Sequence, residues 1–259
     1  MKPEKGKAPK KLRTRIGSAP PDISRLRFRG KDTLTELVGT ATFTECIYLA
    51  ATGRMPDKRQ AAVLDACLVI LMDHGITPSS LVARLVTDTV PTDIQVPIAA
   101  GLLTVGNKFM GTIAGAGEIF SAGAASGADP AVWAAERVGE DLRAGRRFPG
   151  FGHPDYFPDD PRTLRLWQVA EQYDCIGRYA TVAKHVEREI ERQSRRLPMN
   201  ATGAIGAMLC EIEFPVVAMR GVAVISRAAG LLAHSLEELE TKTAGGIMAI
   251  VQDAVPYEE

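Results

Sequence analysis

The 259 residues are enough for one large or two small domains, and 46% hydrophobic with 24% charged residues is an ordinary soluble composition, which excludes a mini-protein and wholesale disorder. The 31 basic and 31 acidic side chains cancel, which argues against a dedicated nucleic-acid binder. The first 31 residues nevertheless hold eleven Lys or Arg against two acids, so residues 1–24 are expected to form a basic, solvated, flexible tail. This end has no apolar signal core, and Pro3, Pro9, Pro20 and Pro21 would break an amphipathic targeting helix. Cys46, Cys67, Cys175 and Cys210 are too far apart for a Cys-x-x-Cys pair and sit among apolar or small neighbours. Free thiols and a cytoplasmic location are therefore expected.

Along the chain, apolar residues recur at spacings of three and four and no period-two run persists, which predicts an all-α fold. Pro56-Asp57 opens a helix whose segment Ala61 to Met72 is apolar nearly all round, as for a helix enclosed by others, and Gly75 ends it. Gly115-Ala116-Gly117 has neither a preceding strand nor a following Lys-Ser/Thr pair, so it reads as tight helix packing rather than a phosphate loop. Residues 145–162 contain three glycines and four prolines and predict an elaborate loop. Leu166, Val169, Tyr173, Ile176, Ala180, Ala183, Val186 and Ile190 make one apolar stripe, predicting a single half-exposed helix. A shorter loop is expected at 195–203, and Pro215 suits the first turn of the next helix. Val216 to Ala233 is the most apolar long stretch, but Arg220 and Arg227 would be costly in a bilayer. It is expected to be a buried helix, not a membrane span.

The histidines differ in context. His185 lies among Lys184, Glu187 and Arg188 and reads as a solvated helix residue, while His234 near a helix end suits capping or packing. His74 closes an apolar helix in Asp-His-Gly, where a helix terminus can set its charge state or where it serves only as a cap. His153 lies in the Gly/Pro loop with Arg162 nine residues on, a pairing suited to anion binding and proton transfer. No His/Cys/carboxylate cluster has metal-ligand spacing, so no metal is expected, and no Gly-x-Ser-x-Gly elbow is present.

Five segments together resemble the citrate synthase superfamily: Arg-Gly-Lys-Asp at 29–32, Phe43 to Pro56, Asp-His-Gly at 73–75, Gly-Phe-Gly-His at 150–153 with Asp-Pro-Arg at 160–162, and Ser-Arg-Ala-Ala-Gly-Leu-Leu-Ala-His at 226–234. The short length, Asp-His-Gly, and Gly101 to Gly111 look more like citryl-CoA lyases and the C-terminal module of ATP citrate lyase. Phe109-Met110-Gly111 stands where the synthases carry Leu-His-Gly. The resemblance implies a citrate synthase-like fold, with a large helical domain at 25–106 and 204–259 and a smaller coenzyme A-binding helical domain at 107–203. It implies that His74 and His153 contact an oxo-acid and that Arg162 and Arg227 clamp its carboxylates. Phe148, Pro149, Gly150, Phe151 and Gly152 would wrap coenzyme A, with Arg196 and Asn200 beside them. At the family's catalytic Asp stands Thr202, which cannot serve as a carboxylate base; Asp155, Asp159 and Asp160 are substitutes by proximity, or else loop caps. The implied activity is carbon–carbon cleavage of a citryl-CoA-like 3-hydroxy acyl-CoA by a homodimer. The alternatives are the reverse condensation, or a non-catalytic homologue that binds an acyl-CoA.

Overall fold

The structure is a computed structural model and describes residues 13–18, 25–106, 110–153 and 156–258. Most of the expected basic tail, Phe109 and Asp155 lie outside the described residues. The chain divides into two compact units, one ending at Pro56 and the other beginning at Asp57.

In the first unit, three two-residue strands, β1 (Gly17–Ser18), β2 (Arg27–Phe28) and β3 (Lys31–Asp32), pair antiparallel in that order. Arg27 faces Asp32 and Phe28 faces Lys31 across the β2–β3 hairpin. Its two turn residues, Arg29 at φ 50° and Gly30 at φ 83°, are both left-handed, the geometry that matches the strands' twist. Arg-Gly-Lys-Asp is thus a hairpin turn and a cap: the Asp32 carboxylate accepts from Leu34 N and Thr35 N, each at 3.1 Å, at the head of a short π-helical turn. A capping box between Thr42 and Glu45 starts α1 (Phe43–Thr52), which Gly53 ends at φ 80°.

The second unit holds ten α-helices among the described residues. They are α2 (Lys58–Met72), α3 (Pro78–Thr89), α4 (Gln95–Leu103), α5 (Thr112–Ala125), α6 (Pro130–Arg143), α7 (Pro161–Gln172), α8 (Arg178–Gln193), α9 (Ala201–Glu211), α10 (Met219–Thr241) and α11 (Ala244–Ala254). The all-α expectation holds. The apolar helix α9 is the centre, with nine of its eleven residues buried. It packs against α5, α7 and α8, while α10 lies on α2, α3 and α4. Two glycines set close approaches that the site depends on. A Cβ on Gly230 of α10 would lie 2.0 Å from Met72 O at the end of α2, and one on Gly203 of α9 would lie 2.3 Å from Gly150 O.

Three local readings need correction. The stripe from Leu166 to Ile190 spans two helices, because Asp174 turns left-handed at φ 52° and Gly177 follows. Tyr173 and Ile176 fall in that break and are exposed. The apolar phase continues across it although the two helices have different neighbours, α7 packing on α9 and α2, and α8 on α6, α9 and α5. Next, α2 is not enclosed all round: Val69 and Met72 are exposed at 59% and 40%. Finally, the second loop is shorter than expected, since Asn200 caps α9 and Ala201-Thr202-Gly203 form its first turn. The run Val216–Thr241 is long and apolar enough to cross a membrane, but it carries Arg227 and Glu238 on its buried face.

Candidate active site

The cleft begins where α2 stops. Asp73 takes extended backbone after Met72, Gly75 turns at φ 66°, and the Asp73 Oδ2 accepts from Gly75 N at 3.1 Å. This turn holds His74 outward, where Arg162 Nη1 lies 3.0 Å from its Nε2 and 3.3 Å from its Nδ1. A guanidinium only donates, so the ring nitrogen facing it accepts. Desolvation by the surrounding atoms, then the positive fields of Arg162, Arg227 and His153, hold the His74 pKa below the ordinary imidazole value, with Asp73 opposing. His74 is therefore poised as a neutral imidazole.

Arg162 sits in the first turn of α7 and is gripped from behind. Its Nε and Nη2 donate to the Asp160 carboxylate at 2.9 and 2.7 Å, and its guanidinium lies 4.6 Å from the centre of the Tyr156 ring. Burial alone would raise the Asp160 pKa, but the hydrogen bonds from Arg162 and Ala201 N outweigh it and hold the carboxyl below its usual value. Asp160 also caps α7 and ties α7 to the head of α9, so it acts as a cap and brace. The Tyr156 ring lies 4.6 Å from that of His153, and Tyr156 N donates to His153 Nδ1 at 3.3 Å. In the neutral form of the ring, that bond leaves Nε2 to carry the proton.

Arg227 differs from Arg162. It is 3% exposed on α10, and its Nε and Nη1 are buried with no hydrogen-bond partner. Burial lowers its pKa, with Asp73 opposing. Buried donors are rarely left unpaired, because an unmade hydrogen bond to a charged group is expensive. One arginine is thus already braced by a carboxylate, while the other keeps two buried donors unpaired.

The two loops expected to hold coenzyme A zip together. Gly152 N donates to Pro198 O at 2.7 Å, Asn200 N to Gly150 O at 3.0 Å, and Asn200 Nδ2 to Gly152 O at 2.7 Å, while Phe151 bridges to Met199. Gly150 at φ 90° and Gly152 at φ 78° give the first loop its shape, and Phe151 packs edge-on to Phe120 of α5 with ring centres 6.2 Å apart. Phe148 O accepts from Phe151 N, and Pro149 lies over Gly115. Behind Pro149 a cavity of about 410 Å³ is lined by Arg137, Arg146 and Arg147 among others. Arg196 does not join the zipped segment: it reaches Asp159 at 3.2 Å and lies over Phe157.

Thr202 occupies the first turn of α9. Its hydroxyl donates to Asn200 Oδ1 at 2.7 Å and accepts from Thr112 Oγ1 at 2.9 Å. The proton of Thr202 is thus committed to the helix cap, and the group is no base. Thr112 and Tyr156 were not found from sequence; the aromatic ring two residues after Pro154 was the available signal for Tyr156, and nothing local marked Thr112. Among the described residues, no group of three His, Cys, Asp or Glu could hold a metal ion.

The charges of Arg162, Arg227 and His153 thus act on His74, and the glycine-rich segment 150–152 is hydrogen-bonded to the segment 198–200. The model of the citrate synthase C-terminal domain matches residues 50–248, and the chain belongs to that family. It is similar in structure to a citryl-CoA lyase from Hydrogenobacter thermophilus, at TM-score 0.81 and 34% identity over 89% of this chain and 88% of that one. An ATP citrate lyase from Methanothrix soehngenii, solved with citrate and coenzyme A, shares the fold at TM-score 0.77 and 21% identity, over 91% of this chain and 40% of that one. ATP-citrate synthase subunit 1 of Sordaria macrospora is 28% identical over 207 residues, 73% of this chain and 30% of that protein. The chain therefore spans about a third of the length of such curated relatives.

Proposed function

We propose that this protein is a carbon–carbon lyase that cleaves a citryl-CoA-like 3-hydroxy acyl-CoA into a carbonyl compound and a smaller acyl-CoA. The observation that carries the reading is Arg227, a buried guanidinium with Nε and Nη1 unpaired, whose charge acts with that of Arg162 on His74. A substrate carboxylate accepts a charge-assisted hydrogen bond from one of these donors. The residues available fit coenzyme A as part of the substrate: the interlocked segments 150–152 and 198–200 offer a backbone cradle, and Arg147 lines the cavity beside Pro149, with Arg146 held there by Asp141.

In this reading His74, kept neutral by its surroundings, takes the proton of the tertiary hydroxyl. The carbon–carbon bond then breaks, leaving its electron pair in the thioester enolate, and the hydroxyl carbon becomes a carbonyl. His153, with its proton on Nε2, donates a hydrogen bond to the oxygen that becomes the carbonyl. The enolate carbon recovers a proton to give the acyl-CoA; Thr202, whose hydrogen is bound to Asn200, does not supply it. Condensation is the same path reversed. The protein acts as a homodimer that covers apolar side chains exposed on α2 and α10, such as Val69, Ile225, Leu232 and Leu236. It works in the cytoplasm, where its four unpaired thiols stay reduced.

The hydroxyl chain Thr112–Thr202–Asn200 favours one other reading, a homologue that binds an acyl-CoA without turnover. Incubating the pure protein with several 3-hydroxy acyl-CoA thioesters, with thermal-shift controls on free coenzyme A and citrate, separates the two. Release of a smaller acyl-CoA supports the lyase; stabilisation by coenzyme A without release supports the binder.

A further inference from the structure

Behind the His74 turn runs a chain of contacts that the proposed chemistry does not use. His234, Glu237 and Glu238 occupy positions i, i+3 and i+4 of α10, one face of the helix. Arg84 of α3 reaches in among them with its side chain 6% exposed. Its Nη1 donates to Glu238 Oε2 at 3.2 Å, and its Nη2 donates to the Glu237 carboxylate. Its Nε and Nη2 lie 3.2 and 3.0 Å from Nδ1 of His234. On the far side of the imidazole, His234 Nε2 lies 2.8 Å from Asp73 Oδ1. Asp73 is the residue before His74, and its other carboxylate oxygen holds Gly75 N.

The donor inventory fixes the direction of this chain. A guanidinium has only N–H donors, so Nδ1 of His234 must accept. A neutral imidazole that accepts at Nδ1 carries its proton on Nε2 and donates it to Asp73. Arg84 therefore selects a tautomer on one side of α10, and the consequence appears on the other, where the carboxylate is held. The Asp73 side chain is 56% exposed, so water competes for it, whereas His234 is 12% exposed and already locked. A carboxylate fixed there has an electrostatic use: Asp73 is the negative charge that opposes the pull of Arg162 and Arg227 on His74, and it is the charge facing buried Arg227. The same side chain thus shapes the turn and tempers the cleft.

We infer that His234, set in its Nε2–H tautomer by Arg84, is a positioning residue that pins Asp73 and through it fixes the place and charge balance of His74 and Arg227. This rests on the proposed role of the cleft in binding a carboxylate substrate, but its first test does not. In protein labelled with ¹⁵N-histidine, the His234 ring should show a protonated Nε2 and an unprotonated Nδ1 at neutral pH; a protonated Nδ1 overturns the inference. Two amide variants then separate the edges of the ring. H234Q keeps a donor where Nε2 points at Asp73, and H234N keeps an acceptor where Nδ1 faces Arg84. With both variants folded, the His74 ring resonances should stay in place in H234Q and move in H234N. Affinity for citrate should fall about tenfold in H234N, the scale of one charge-assisted hydrogen bond, and less than about threefold in H234Q. Equal effects of the two variants on His74, or a larger effect of H234Q, reject the positioning role. If the parent binds no citrate while the tautomer and the His74 shifts behave as stated, the positioning role stands and the carboxylate-binding reading fails.

Discussion

Replacing Arg227 by methionine should move stability and binding in opposite directions. Arg227 is 3% exposed, and two of its three guanidinium nitrogens lack a partner, so the free protein carries a desolvated charge that no hydrogen bond repays. Methionine fills a similar volume without the charge, and exchanges of this kind at buried ionic positions are neutral or stabilising by about 1–4 kcal/mol. Hydrogen bonds to a charged group contribute ~1.5–3 kcal/mol, so a carboxylate ligand should bind Arg227→Met more weakly by that amount, roughly 10- to 150-fold. Urea denaturation of both proteins, alone and with citrate, reads the two effects together. The parent should be less stable than the variant without ligand, and should gain about 2.7 kcal/mol at a citrate concentration a hundred times its Kd. The variant should gain far less at that same concentration. A variant that is clearly destabilised yet binds citrate as tightly as the parent would show that Arg227 is a structural cation, and the reasoning would fail.

Thr202→Asp restores a carboxylate that can accept from Thr112 Oγ1 but displaces the hydroxyl's bond to Asn200, and it should raise α-proton exchange of acetyl-CoA in deuterated water by about 10²- to 10⁴-fold. No gain in a folded variant that binds acetyl-CoA would mean that position 202 is not the acid–base position. The lowered pKa of His74 has a stability consequence. As pH drops below about 6.5 the unfolded chain takes up this proton before the folded one does, so stability declines there and levels off below the folded pKa. Denaturation of His74→Asn should show a shallower decline in that window; an unchanged slope would contradict the shift. A homodimer covering the α2 and α10 side chains would bury roughly 2,000 Å² or more, and light scattering at micromolar concentration should give twice the chain mass; a monomer would refute it.

What the sequence disclosed and what it hid follow from distance along the chain. The helical period, the capped start of α2 and the Gly/Pro loop are local, and each was readable from neighbouring residues. The break at Asp174 was not, because the apolar phase runs on across it and only a left-handed aspartate followed by a glycine marks the turn. Asn200 and Thr202 were picked out by resemblance, but the partner that commits their hydroxyl chain, Thr112, lies 90 residues earlier. Arg162 and Arg227 looked equivalent as residues. Only the fold shows that Asp160, two residues from the first, holds its guanidinium while the second has donors to spare. His234 read as a capping or packing residue because Arg84, its partner from 150 positions away, has no local signature.

Citryl-CoA carrying ¹³C at the carbinol carbon, followed by NMR during incubation with the pure protein, asks whether the chain breaks the bond assigned to it. The carbinol resonance should be replaced by a ketone resonance as an acyl-CoA two carbons long is released. Persistence of the carbinol signal, whether in intact thioester or in free citrate formed by simple thioester hydrolysis, would contradict carbon–carbon cleavage of this substrate.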